Sequence, residues 1–194
     1  MAFTAYETEQ IREALLKEAR HCAVTLGMHK TSVEQLTQAV GISKGSFYRF
    51  FASKELLFFA VLEGIHTEVY AVAGEALREN SGDAPAERAA KGILAACRRL
   101  SETGAMAFIE KDAQTILRRI PEPIKTAHYH DDEVHIYDLL EQSGLDAFVQ
   151  RELTAATVRG LILTVSHQEQ IGPLYAKVLE TLVYGACREL FRSN

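Results

Sequence analysis

The stretch from Thr31 to Lys54, TSVEQLTQAVGISKGSFYRFFASK, constrains the fold more than any other part of this chain. Thr31-Ser32-Val33-Glu34 has the form of a capping box, in which a hydroxyl accepts from a backbone N–H one turn on and a Glu side chain reaches back. Val33, Leu36 and Val40 recur at spacings of three and four, which makes one apolar stripe on a short helix. Gly41 ends that helix, because a residue without Cβ enters the left-handed region at little cost. Ile42 is expected to plug the turn, and Ser43 to cap a second helix whose inner face is Phe47 with Phe50 or Phe51. The outer face of that helix keeps Lys44, Gly45, Ser46, Tyr48 and Arg49. A helix-turn-helix with an aromatic inner face and a small, basic, hydroxyl-bearing outer face suits the major groove of DNA.

Charge points the same way. The chain carries a net charge of −5, yet between Met28 and Lys54 the basic residues Lys30, Lys44, Arg49 and Lys54 face one acid, Glu34. A basic island in an acidic protein is the footprint expected of phosphate binding. Over a wider window the balance disappears, since residues 1–63 hold seven Lys/Arg and seven Asp/Glu. Nonspecific affinity for DNA is therefore expected to be modest.

Thr31, Gly41-Ile42-Ser43-Lys44-Gly45-Ser46-Phe47-Tyr48, Phe51 and Ser53-Lys54-Glu55-Leu56-Leu57 fall in register over about the first sixty residues. Together they resemble the signature of the TetR family of bacterial transcription regulators. The resemblance implies an all-α fold of about nine helices, with a helix-turn-helix three-helix bundle over residues 1–52. A linking helix over about 53–78 and a ligand-binding and dimerisation domain over 79–194 would complete it. It also implies that Ser43, Lys44, Gly45, Ser46, Tyr48 and Arg49 face the groove, and that Thr31, Tyr48 and Lys54 hold phosphates. Such phosphate contacts position a protein without specifying sequence. The implied function is repression from a palindromic operator by a homodimer. A small apolar or amphipathic effector in the second domain would select against the DNA-bound state.

The rest of the chain reads as an ordinary globular protein of 194 residues, 47% apolar and 24% charged. Its purely apolar runs, such as Leu56 to Leu62, fall well short of the roughly 18 residues of a membrane span. The N-terminus lacks a basic segment followed by an apolar one, so a cytoplasmic location without membrane contact is expected. Residues 1–6 are expected to be loose, followed by a helix over 7–26 with Ile11, Leu15, Ala19, Cys22 and Leu26 on one face and Gly27 as its stop. Ser53 is placed to cap a long helix to about Arg78, and Glu79 to Pro85 reads as a linker. Further helices are expected over about 86–103, 105–119, 128–144, 151–168 and 173–192. In the 105–119 helix, Met106, Ile109, Ala113 and Ile116 or Leu117 point inward.

The final helix carries apolar doublets at Leu174-Tyr175, Val178-Leu179, Leu182-Val183, Ala186-Cys187 and Leu190-Phe191. At 100° per residue these doublets spread apolar surface over roughly 260° of the helix, more than one small domain can cover. With the preceding apolar helix, they predict an interface with a second copy through Val158, Leu161, Ile162, Val165, Leu174, Val178, Leu182 and Ala186.

Catalytic signatures are missing from the sequence: it has no Gly-rich phosphate loop, no G-x-S-x-G and no H-E-x-x-H. Neither enzymatic activity nor a cofactor is expected. Cys22, Cys97 and Cys187 are far apart and read as buried reduced thiols. In His128-Tyr129-His130-Asp131-Asp132-Glu133-Val134-His135, Asp131 or Asp132 and His135 lie one helical turn apart. Such donors suit zinc or nickel, so an all-α metal-dependent enzyme or metal sensor using His128, His130 and His135 stands as an alternative. The spacing is not diagnostic, and no metal is assigned. A DNA-associated protein of the same fold without a small ligand is a second alternative. Candidates for lining an effector pocket are His66, Tyr70, Met106, Phe108, Ile109, Thr115, Ile116, Tyr137 and Phe148.

Overall fold

The structure is a computed structural model that describes residues 3–145, 147 and 149–191, with the backbone alone for 129–133. Its described residues form helices and turns and no strand, as the all-α expectation requires. The chain divides into two compact units, Met1–Ile65 with Ala107–Lys125, and His66–Met106 with Thr126–Asn194. The expected boundaries at 52 and 79 differ from this. The division falls inside one long helix, and 107–125 groups with the N-terminal segment.

In the first unit, helix α1 (Ala5–Thr25) starts on a capping box. The Glu7 N–H donates to Thr4 Oγ1 at 3.2 Å, and the Thr4 N–H donates to Glu7 Oε2 at 2.7 Å. Residues 3–6 are therefore ordered by their own chemistry, against the expectation of a loose tail, and the Phe3 ring centroid lies 5.9 Å from that of Phe50. Leu15, Ala19, Cys22 and Ala23 are buried. Leu26 is 48% exposed, because it is the C-cap residue and has already turned off the inner face. Helix α2 (Val33–Val40) is capped by Ser32 instead of Thr31. Its box is made with Gln35, whose N–H donates to Ser32 Oγ at 3.1 Å while its Oε1 accepts from the Ser32 N–H at 2.7 Å. The expected Thr31/Glu34 box is thus displaced by one residue, an outcome open to any Thr-Ser pair before a Glu-Gln pair. Gly41 closes α2 at φ 77°, in the left-handed region. Helix α3 (Lys44–Phe47) comes next, and Phe47 is fully buried with Phe51 beside it at 6.2 Å between ring centroids.

Helix α4 (Lys54–Glu79) begins where the Leu56 N–H donates to Ser53 Oγ at 3.1 Å. By length and mean hydropathy it is apolar enough to cross a membrane. Burial accounts for much of that composition: Leu57, Phe58, Val61, Leu62, Ile65, Val69, Ala73 and Leu77 are all buried.

The segment expected to be one helix over 105–119 is interrupted. Helix α6 (Ala105–Phe108) runs into a π-helical turn (Ile109–Ala113) before α7 (Gln114–Arg119). A π turn inserts an extra residue and rotates the next stretch of helix about its axis. Here it carries Asp112 inward, to 2% exposure, together with Ala113, and leaves Ile116 and Leu117 both buried. Oδ2 of Asp112 accepts a hydrogen bond from the Met28 N–H at 2.8 Å. The same oxygen lies 3.1 Å from where a Cβ on Gly27 would stand, and Gly27 has φ +82°. A glycine is required there for both conformation and space.

The second unit contains α5 (Pro85–Thr103), most of α8 (Glu122–Gln142), α9 (Arg151–Leu163), α10 (Gln168–Ile171) and α11 (Tyr175–Leu190). The 151–168 expectation is met by α9 and a 3-10 turn over Thr164–His167. Helix α8 starts earlier than its expected 128, with Pro123 in its first turn, where a missing N–H costs little. Helix α5 packs against α11 and α9. Its small residues Ala89, Ala90 and Ala96 are buried with Ile93, Cys97 and Leu100, and α11 supplies Leu179, Val183, Cys187 and Leu190. A Cβ on Gly92 would stand 3.0 Å from Leu77, so α5 is also held close to the C-terminal half of α4.

Candidate nucleic-acid interface

The helix-turn-helix is built from residues whose caps are made locally. Ser43 caps α3 by accepting from the Ser46 N–H at 3.1 Å, and the two hydroxyls share a further hydrogen bond at 2.8 Å. The buried Phe47 anchors the short helix edge-on to Tyr48, with ring centroids 5.3 Å apart. That anchor leaves Ser43, Lys44, Gly45, Tyr48 and Arg49 exposed and Ser46 half-buried. Tyr48 is 52% exposed, a large aromatic held at the surface by its buried neighbour. A Cβ on Gly45 would meet only Ser43 Oγ, at 3.9 Å, so the outer side of α3 is open to close approach by another backbone.

The basic groups are held in place by partners within the chain. The Arg49 guanidinium lies 5.3 Å from the Phe3 ring centroid, and that of Arg12 lies 4.7 Å from the Phe51 ring. Lys44 forms an ion pair with Glu34 of α2. The hydrogen bond from Lys44 holds the Glu34 carboxyl below its ordinary range and, in return, raises the Lys44 ammonium. From the sequence, Glu34 is a capping-box residue and the one acid of the basic island. Its role as partner of Lys44 depends on the α2–α3 crossing, which spacing alone does not supply.

Two expected phosphate ligands are engaged elsewhere. Thr31 is 1% exposed, and its hydroxyl donates to the Gly27 carbonyl at 2.9 Å. The Lys54 ammonium donates to the carbonyls of Met28 at 2.8 Å and Thr31 at 2.7 Å. Both side chains tie down the turn between α1 and α2. Carbonyl acceptors also offset the awkward position of a cation in the first turn of α4.

The expected pocket residues divide between the two units. Phe108, Ile109, Thr115 and Ile116 belong to the first unit, where Phe108 packs on Phe58 at 6.1 Å and Ile116 is fully buried. His66, Tyr70, Met106 and Tyr137 belong to the second. There Tyr137 lines a shallow cleft with Leu140, Leu145, Arg151 and Thr154, and Arg151 stacks over its ring at 5.7 Å. Phe148 and the side chain of His130 lie outside the described residues, as do the side chains of Asp131 and Asp132. His128 is buried, and its ring stacks on His66 at 5.2 Å between centroids, while His135 tilts over Tyr70 at 5.4 Å.

The doublets of α11 separate cleanly. Leu179, Val183 and Cys187 are buried in their own unit, whereas Leu174 is 62% and Leu182 45% exposed, with Val178 and Ala186 half-buried. On α9 and the turn after it, Val158, Leu161 and Val165 are buried within the chain, so their apolar surface is already used there. The exposed large apolar residues of that region are Leu153 and Leu163, with Ile162 half-buried.

Residues 15–61 match the family model described as bacterial regulatory proteins, tetR family. An HTH-type transcriptional repressor from Mycobacterium tuberculosis, Rv1474c, is 40% identical over 50 residues, 26% of this chain and 27% of that protein. The chain matches about a quarter to a third of the length of the curated relatives. Likeness in fold extends further. The crystal structure of a TetR transcriptional regulator from Rhodococcus sp. RHA1 aligns over 95% of this chain and 98% of its own, with a TM-score of 0.61 and 17% identity. AibR, solved in complex with isovaleryl coenzyme A and operator DNA, aligns over 95% and 100%, with a TM-score of 0.58 and 19% identity. Residues 15–61 are thus a DNA-binding segment of the tetR family of bacterial regulatory proteins, and the rest of the chain shares its helical fold with solved TetR regulators.

Proposed function

We propose that the chain is a DNA-binding repressor that acts in the cytoplasm as a homodimer on a near-palindromic operator. The observation that carries this reading is the short helix α3, anchored by buried Phe47, with Lys44, Gly45, Tyr48 and Arg49 on its exposed side. Lys44 exchanges Glu34 for a phosphate or a guanine edge, Tyr48 reaches a phosphate, and Gly45 admits the DNA backbone. The repressor name of the Mycobacterium tuberculosis relative supports the direction of control. The second apolar stripe of α11, Leu174, Val178, Leu182 and Ala186, supports pairing with a second copy, which places two recognition helices on one duplex. A small effector bound in the helical second unit changes operator affinity; AibR, which shares the fold, was solved with both a small ligand and operator DNA.

Selection of bound sequences from a random DNA pool, followed by affinity against salt, tests the reading. A recovered palindrome with a steep salt slope supports a dimeric sequence reader, and the slope estimates how many phosphates are neutralised. No enrichment over random sequence would remove the central claim.

A further inference from the structure

Phe3 lies far from the helix-turn-helix in sequence, yet the first unit brings the two together. The capping box holds Thr4 extended, at φ −67° and ψ 164°, so the backbone entering α1 is set by local hydrogen bonds. The Phe3 ring meets Phe50, with centroids 5.9 Å apart. Two turns into α1, the Arg12 guanidinium stands over the Phe51 ring at 4.7 Å, and Phe51 in turn lies beside buried Phe47. The start of α1 therefore braces Phe50 and Phe51, the residues that leave the end of α3. Between them and α3, Arg49 is exposed, and its guanidinium lies over the Phe3 ring, 5.3 Å from the centroid.

We infer that Phe3 is a positioning residue for DNA recognition, which holds Arg49 ready at the end of α3 with its donor edge free for a phosphate or a guanine. The inference rests on the DNA-binding reading of α3 and adds a determinant from outside the helix-turn-helix. Lys44 and Arg49 are held by opposite means. The Lys44 ammonium donates to the Glu34 carboxylate, a contact that DNA has to displace. Attraction to a ring face acts on the cation as a whole and uses none of its N–H donors. The guanidinium carries those donors in a rigid fork that matches phosphate oxygens or the O6/N7 edge of guanine. Among the described residues, no carboxylate or carbonyl is paired with the Arg49 fork. A free arginine loses side-chain freedom when it is ordered on DNA. One already braced loses less, so Phe3 raises affinity without touching DNA.

The probe is a fluorescein-labelled duplex carrying the sequence recovered from the random pool, and its binding to the untagged full-length protein is followed by anisotropy. Phe3→Leu, apolar but without a ring face, should weaken binding by about 2–5-fold, the worth of a cation–π contact at an exposed site. Phe3→Tyr keeps the ring and should bind as the unaltered chain does. Arg49→Ala should weaken binding more than Phe3→Leu, and in that background Phe3→Leu should have no further effect. A purely structural role for Phe3 lowers affinity equally with and without Arg49. Proton NMR of the free protein reads the contact without DNA: the Arg49 Cδ protons should be shifted upfield by the ring and return to ordinary values in Phe3→Leu. Thermal melting establishes that each variant is folded at the assay temperature, and Phe3→Met serves if Phe3→Leu does not fold. Unchanged affinity in folded Phe3→Leu overturns the inference. So does an equal loss in both backgrounds, an equal loss in Phe3→Tyr, or Arg49 proton shifts that ignore Phe3. Those outcomes leave DNA recognition by α3 standing, whereas failure of the unaltered chain to select any sequence removes both.

Discussion

Replacing Asp112 by Ala tests whether the π-helical turn is a structural clamp on the helix-turn-helix. The carboxylate is 2% exposed and accepts the Met28 N–H at 2.8 Å in a buried hydrogen bond. His29 Nε2 stands 3.9 Å away on its outer side. Asp112→Ala leaves that N–H buried without its acceptor, a cost of about 1–3 kcal/mol. For a chain of this size, that lowers Tm by roughly 2–12 °C. Asp112→Asn keeps an oxygen of the same shape in place and should cost less than Ala. Gly27→Ala adds a side chain at φ +82°, with its Cβ 3.1 Å from the Asp112 oxygen. The left-handed conformation alone costs about 1–2 kcal/mol, and the contact adds to it. In the Asp112→Ala background the contact disappears, so the two substitutions should be less than additive. Urea and thermal unfolding of the four proteins provide the cycle. A change below about 0.5 kcal/mol in Asp112→Ala, the level of ordinary surface substitutions, would refute the reasoning, and so would strict additivity.

Four further outcomes are expected from other parts of the structure. Lys44→Ala should lower DNA affinity for all sequences and reduce the magnitude of the log–log salt slope by about 0.9, while Glu34→Gln, which frees Lys44, should raise nonspecific affinity, both read by fluorescence anisotropy. Burial pushes the Glu55 carboxyl up, but hydrogen bonds from the start of α4 and from Arg119 Nη1 at 3.1 Å outweigh it and hold the group below its ordinary range. The stability it contributes is therefore full above the unfolded carboxylate value of about 4.3 and lost as pH falls through the lower folded value; an unchanged acid limb in Glu55→Gln would contradict this. Burial raises the thiols of Cys97 and Cys187 to about 12, so neither should react with a disulfide reagent at mildly alkaline pH until the protein unfolds, and rapid labelling of the native protein would contradict the packing. Leu182→Glu, at a position 45% exposed, should leave the Tm of the monomer fold nearly unchanged and dissociate the proposed dimer in sedimentation velocity.

Much of the reading head was legible in the chain itself. Gly41, Ser43 and Phe47 have their expected conformation, cap and burial, because each is dictated by interactions within four residues. The order of helices was legible for the same reason, as was the wide apolar spread of the α11 doublets, which is set by helical pitch; which half of that spread is buried was not. Local rules failed where two chemistries competed over one or two positions. Thr31-Ser32 offered two caps, and Ser32 prevailed because Thr31 is drawn into the core, its hydroxyl donating to the Gly27 carbonyl.

Tertiary packing alone decided the rest. Lys54 looks like a phosphate ligand in sequence, but its ammonium ends on two carbonyls of the turn that begins at Met28. Asp112 looks like a solvated helix residue until the π turn carries it to the Met28 N–H. His128 looks like one member of a local cluster until α4 presents His66 to it. In each case the group that completes the interaction is brought in by a different part of the chain. Period and capping are properties of a single segment and so are written in its residues. The partner of a buried charge or ring is set by which helices cross and in what register, and that depends on how the whole core packs.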